Sequence, residues 1–132
     1  MALKINNPAR NVVTDAITGQ FSGGVLRIYD GTQPGTAGAT SGSSLLIVEI
    51  GSLYWAAASN GTALLASSAG TTGTSGTAGT AAWARLIDSG TSCIIDGACG
   101  TGVSNNFVID SAVILGGSVV TLTKADIIEP AE

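Results

Sequence analysis

The sequence predicts a mainly β fold: a single sandwich or barrel-like domain of about eight short antiparallel strands with one short N-terminal helix. Two observations carry this. From residue 23 onward large apolar residues recur at every second position, in short runs bounded by Gly, Asn, Asp or Ser, as strands with one buried face require. Only the segment before it combines apolar spacings of three and four with capping residues at both ends. A length of 132 residues suits one domain. It divides into an N-terminal segment with the helix, residues 1–22, and the β-sandwich, residues 23–132.

The helix comes first. Asn7 can cap it by accepting a backbone N–H, Pro8 suits the first helical position, and Gly19 can supply a left-handed stop, so the helix is expected over Pro8 to Thr18. Ala9, Val12, Val13, Ala16 and Ile17 then form an apolar stripe, while Arg10, Asn11, Thr14 and Asp15 face away. A helix of about eleven residues is marginal alone. The stripe is therefore expected to dock.

The strand runs follow as Val25 to Asp30, Ser44 to Ile50, Leu53 to Ser59, Thr62 to Ala66, Ala81 to Asp88, Cys93 to Cys99, Phe107 to Ile109 and Ser118 to Lys124. Asn60-Gly61 between the third and fourth is the strongest hairpin signal, because a type I′ turn needs positive φ at both central positions. Asp96-Gly97 reads as a second turn or a bulge, and Gly116-Gly117 precedes the last strand. Alternation places Leu26, Ile28, Leu46, Val48, Ile50, Trp83, Ile87, Val120 and Leu122 inside, with Trp83 as a core anchor. Arg27, Glu49 and Thr121 point outward.

Two stretches, Gly31 to Ser43 and Ser67 to Thr80, carry no charge and almost no large side chain. Loops of this length either bind something or serve as flexible connections, and the second has a linker's composition. Neither contains GxxxxGK[ST], which excludes a P-loop.

Chemistry is scarce. The chain has no His, five Lys/Arg and nine Asp/Glu, and about half of it is Gly, Ala, Ser and Thr. General acid–base and nucleophilic catalysis need a tuned His or carboxylate, or a base beside a nucleophile, and no spacing promotes any pair, so no enzyme, no metal and no cofactor is expected. Asp88, Asp96 and Asp110 are not read as a carboxylate cluster, because Asp88-Ser89-Gly90 and Asp96-Gly97 are ordinary turn pairs in which the carboxylate bonds its own backbone. Tyr29, Tyr54, Trp55 and Trp83 read as the bulk of the core rather than a sugar platform. If Asp96-Gly97 turns a hairpin, Cys93 faces Gly100 and Cys99 faces Ile94, which puts the thiols on opposite faces; buried free thiols are expected. Asn60-Gly61-Thr62 matches a glycosylation sequon, but without a secretion signal it reads as a turn. The net charge of −4 without a basic cluster speaks against nucleic acid, and no apolar run approaches the ~20 residues that cross a bilayer.

The order of Asn-Pro-Ala-Arg-Asn in the helix, VLRIYDGTQP at Val25 to Pro34, GTAAWARLIDSGTSCIIDGACGT at Gly79 to Thr101 and ILGGSVVTLTKADIIEPA near the end resembles a family of small proteins encoded among the head genes of tailed bacteriophages. RIYDGTQP and AAWARLIDSG…IIDG are its most specific parts, and it extends over nearly the whole chain. The resemblance implies a capsid decoration, or cement, protein: a β-rich virion component on the outer surface of the head, bridging neighbouring major capsid proteins and stabilising the DNA-filled shell. It implies no catalytic residue. Cys93 and Cys99 depart from it, standing where it implies small or aliphatic residues, and leave open a disulfide formed after lysis.

The expected partners are therefore the major capsid protein and further copies of this chain, as a homo-oligomer on the capsid, with no nucleic acid and no membrane. The expected location is the virion, after synthesis in the host cytoplasm. The expected anchoring segment is the N-terminal helix or the residues ahead of it, and Met1, Ala2, Leu3, Lys4, Ile5, Asn6 and Asn7 are the candidate capsid-contact residues, because a terminus can lie across a neighbour's surface. The competing expectation for the helix is that it covers an open end of the sandwich. The competing function is a phage fibre or adhesin subunit whose Gly/Thr-rich loops touch the host surface.

Overall fold

The computed structural model describes residues 5–38, 44–65, 72–90, 94–125 and 127–128. One helix, α1 (Asn7–Phe21), leads into β1 (Gly24–Tyr29), β2 (Leu46–Leu53), β3 (Thr62–Ala63), β4 (Thr72–Thr74), β5 (Gly79–Thr80), β6 (Trp83–Ile87), β7 (Ile94–Gly100), β8 (Phe107–Ile109), β9 (Val113–Ile114), β10 (Val119–Lys124) and β11 (Ile127–Ile128). Seven strands form one sheet in the order β2-β1-β6-β7-β8-β10-β4, curled into a nearly closed barrel. Two ribbons, β11 with β3 and β5 with β9, complete it. The fold is thus the mainly β, barrel-like one expected, with a single parallel pairing, β7 beside β8.

Period-two alternation decides what fills the barrel. Leu26 and Ile28 on β1 stand opposite Leu86 and Ala84 on β6, and these join Val48, Ile50, Leu53, Cys99, Phe107, Ile109, Val120 and Leu122 in one buried cluster. On β6 Trp83 and Ile87 are buried as expected, but not on the face that alternation implies. They pair with Tyr29 and Val25, so they lie on the face opposite Leu26 and Ile28. All five residues of β6 are buried, and a strand covered on both faces has no alternation to read. Leu46 is exposed and Ile47 takes its place, because the register of β2 against β1 slips between Ile28 and Tyr29. Such a bulge turns the next side chain to the other face.

The helix starts one residue earlier than expected and ends three later. Asn6, not Asn7, is the cap: its Oδ1 accepts from the Ala9 N–H at 3.2 Å. Gly19 lies within the helix, and the chain leaves it at Ser22. The buried face is also different. Thr14, Thr18 and Phe21 are buried, with Ile17 packed against the core, whereas Val12 and Val13 are 69% and 40% exposed and Ala9 and Ala16 are also exposed.

Asn60 and Gly61 have φ of +52° and +77°, and Ser59 and Thr62 exchange both backbone hydrogen bonds, which is the type I′ hairpin expected of Asn-Gly. The strand before it is not continuous: residues 54–59 touch their partners only at the isolated bridges of Trp55 and Ser59. Asp96-Gly97 is no turn but the middle of β7. Ser67 to Thr80 is no simple linker either, since Thr72–Thr74 and Gly79–Thr80 are strands, although residues 66–71 lie outside the described ones.

β4 brings the two ends of the sheet together. It pairs with β10 through Val119↔Thr74, Val120↔Gly73 and Thr121↔Thr72, and its other side lies against β2. A Cβ on Gly73 would overlap the Glu49 carbonyl oxygen and stand 3.0 Å from Ile50 Cγ1. Gly76 N donates to Ile47 O at 3.2 Å just beyond. Gly73→Ala is therefore expected to cost about 1–3 kcal/mol, seen as a lower urea midpoint. Gly76→Ala, with nothing within 4 Å of the added carbon, is expected to leave the midpoint unchanged.

Candidate interaction surface

The two motifs that carry the resemblance meet on the outer face of three adjacent strands. RIYD ends β1, WARLI is β6 and IIDG opens β7. Across them and β2, four charged residues stand directly opposite one another in the order Glu49, Arg27, Arg85, Asp96. Arg27 Nε lies 2.8 Å from Glu49 Oε2, both half-exposed, and a pair of this kind contributes little, about 0–1 kcal/mol. Arg85 grips Asp96 through two bonds, Nε to Oδ1 at 2.8 Å and Nη2 to Oδ2 at 2.9 Å, with the Asp96 side chain only 2% exposed. The hydrogen bonds they donate to Glu49 and Asp96 hold both guanidinium groups above their ordinary pKa.

Next to this ladder Tyr29 stacks on Trp83 with ring centroids 4.4 Å apart, and the Arg85 guanidinium sits 5.3 Å from the Trp83 ring centre. Trp83 Nε1 donates to Ser44 Oγ, and Asp30 Oδ1 accepts the Leu45 N–H at 2.6 Å, which closes the base of the loop that starts at Gly31. The motif residues thus hold three strands and one loop together. Of the aromatics taken for core, Trp55 is half-buried with Nε1 donating to Ala125 O, and Tyr54 is 48% exposed.

Asp88 stands before a turn at Ser89 and Gly90, as read from the sequence, but Asp96 does not cap a turn. Asp96 is in the ion pair, Asp88 is buried and accepts from Gln20 Nε2, and Asp110 Oδ1 accepts the Thr121 N–H on β10. No group of three or more His, Cys, Asp or Glu among the described residues is placed to hold a metal. Cys99 is a buried free thiol that burial pushes up to about 12, while Cys93 lies outside the described residues. No described helix is long and apolar enough to cross a membrane.

Of the candidate contact residues, Met1, Ala2, Leu3 and Lys4 lie outside the described ones. Ile5 is 37% exposed. Asn6 and Asn7 serve the helix itself: Asn6 caps it, and Asn7 donates to Asn60 Oδ1 at 3.0 Å and accepts from Arg10 Nη1 at 2.8 Å. α1 sits on the Asn60-Gly61 hairpin by its polar face. Asn11 Oδ1 accepts the Gly61 N–H at 2.8 Å, the Thr14 hydroxyl reaches Gly61 O at 3.0 Å, and Asp15 Oδ1 accepts the Ala58 N–H at 2.7 Å. The apolar residues Ala9, Val12, Val13 and Ala16 consequently face solvent.

This outer face of α1 is the candidate interaction surface. It carries no charged side chain, since Arg10 and Asp15 are both turned to the hairpin. Sequence reasoning offered the helix as an anchoring candidate but expected these residues to form its docked stripe; the hairpin's backbone groups, bonded by Asn11, Thr14 and Asp15, explain the inversion. A second exposed apolar stretch runs around the Gly116-Gly117 turn, where Val113, Leu115 and Val119 are 68%, 67% and 62% exposed. No family model, curated protein or solved structure matches the chain.

Removing one partner of a buried ion pair strands the other, so Arg85→Ala is expected to cost about 3–5 kcal/mol in denaturant titrations, and the double replacement Arg85→Met with Asp96→Leu to recover most of it. For Cys99, the unfolded thiol ionises near its ordinary 9.0 and the folded one only at about 12. Folding stability is then expected to be undiminished by this group below pH 9.0 and to fall between there and about 12, a decline that Cys99→Ala flattens in pH-dependent unfolding.

Proposed function

We propose that this protein is a structural component of a tailed-phage virion that decorates and cements the outer surface of the head. It binds where neighbouring major capsid proteins meet and stabilises the DNA-filled shell. The observation that carries this reading is the helix turned inside out: α1 spends its polar groups on its own hairpin and presents Val12, Val13, Ala9 and Ala16 outward. An uncharged apolar face of this kind fits a partner surface that is likewise apolar. The sequence resemblance supports the same reading.

The size of the face argues for a lattice. A 15-residue helix is roughly 22 Å long, and one face of it buries well under the ~800 Å² per partner of a stable protein pair. Occupancy then has to come from many simultaneous contacts, including copies of the chain around a local symmetry axis, as a shell of repeated sites provides. The Val113 to Val119 stretch is a second contact of the same chemistry. The alternative, a fibre or adhesin subunit, draws on the Gly/Thr-rich stretches Gly31 to Ser43 and Ser67 to Thr80 as its host contacts.

Particles lacking the protein are expected to assemble and package DNA but to rupture at lower temperature. Val12→Asp with Val13→Asp is expected to leave the unfolding midpoint within about 0.5 kcal/mol, because both side chains already face water, while lowering the number of copies retained on purified heads. Knockout particles as heat-resistant as wild type but unable to adsorb to cells establish the fibre or adhesin reading instead.

A further inference from the structure

Asn60-Gly61 is a reactive pair as well as a turn. A backbone nitrogen can attack the side-chain carbonyl of the preceding Asn, and Gly in the second position offers no side chain to hinder the approach. In this protein both reactants are held by one element. The Gly61 N–H donates to Asn11 Oδ1 at 2.8 Å, and Asn60 Oδ1 accepts from Asn7 Nδ2 at 3.0 Å. Gly61 is buried and Asn60 is exposed. The Arg10 guanidinium lies over Gly61 so closely that a Cβ there would sit 2.6 Å from Nη2. Asn7, Arg10 and Asn11 all belong to α1.

We propose that Asn60-Gly61 is a deamidation site gated by α1: the docked helix blocks the reaction, and release of the helix opens it. In the open state the Gly61 nitrogen gives its proton to solvent base and bonds to Asn60 Cγ. The Cγ–Nδ2 bond then breaks, and Nδ2 leaves as ammonia with a proton from solvent, closing a succinimide. Water opens the ring at either carbonyl, giving aspartate or isoaspartate at position 60, and no oxidant or reductant is involved.

Docking blocks the first step because the attacking nitrogen is bonded to Asn11 and enclosed by Arg10, while the amide it must reach is held by Asn7. The isoaspartate product is incompatible with the starting structure. Isoaspartate adds a carbon to the backbone inside a two-residue turn whose geometry depends on the paired bonds of Ser59 and Thr62. That turn supplies the groups on which α1 sits, so formation of isoaspartate makes undocking permanent. It records how long the helix has been away from the barrel.

The test compares two protections in the full-length protein. Deamidation at Asn60 is followed by peptide mapping in mildly alkaline buffer and divided by its rate in a free peptide spanning Ala57 to Leu65. Hydrogen exchange of the Gly61 amide is divided by its own free-peptide rate. If one opening controls both, deamidation is at least about tenfold slower in the protein and the two protections agree within about tenfold, as for a single local opening. Asn11→Ala, which frees the Gly61 N–H, then accelerates deamidation while the β signal in circular dichroism persists. Deamidation at the free-peptide rate in wild type, or protections differing by more than about tenfold, overturns the proposal whether or not the Asn11 variant folds.

Discussion

An open sheet of seven strands has two edges, and each edge presents unpaired N–H and C=O groups that recruit other strands. Here the two edges, β2 and β4, are laid against each other, and the approach is possible only because Gly73 has no side chain to strike the Glu49 carbonyl. Much else rests on that closure. Val48 and Ile50 on β2 and Val120 on β10 belong to the same buried cluster although they come from opposite ends of the strand order. Left open, this sheet would put those side chains in water and offer an edge for aggregation.

Outside the barrel, the tip of the Asn60-Gly61 hairpin presents backbone groups that the sheet does not pair. A type I′ turn aims backbone groups outward, and the segment before it, held by isolated bridges, leaves more of them unpaired. Apolar side chains cannot satisfy these groups. The helix therefore docks with Asn7, Asn11, Thr14 and Asp15, and hydrogen-bond satisfaction outweighs burial of two valines. The cost is an exposed apolar face, which a partner can cover.

How much of this was legible in the sequence depended on whether a residue's environment had one determinant or two. β1 obeys alternation and was read correctly at Leu26, Arg27 and Ile28, and Asn60-Gly61 declares its turn through backbone strain alone. Where a second constraint intervened, the pattern misled. On β6 both faces are covered, so Trp83 and Leu86 look alike; a bulge no residue announces moves Ile47 into the place of Leu46; and Asp96-Gly97 imitates a turn but sits where Arg85 needs a carboxylate. The interaction surface was hidden for the same reason: the period of α1 is plain, but which face it buries is set by a hairpin more than forty residues away, Thr14 and Gly61 being 47 apart. The strand at Thr72–Thr74 was concealed by composition, because Gly and Thr serve both a linker and a close-packed seam.

The distribution of charge narrows what kind of partner such a surface can take. Of the five cationic side chains, Arg10 is bonded to Asn7, Arg27 to Glu49 and Arg85 to Asp96. Two adjacent arginines on β1 and β6 are tolerable only because each has a carboxylate on its far side, so neither pair can be lent to an outside anion without exposing the other to like charge. Among the described residues, Lys124 is the remaining cationic side chain. Under the proposed function, recognition would rest on shape and apolar contact, weak for each copy, little screened by salt, and effective where many copies bind together.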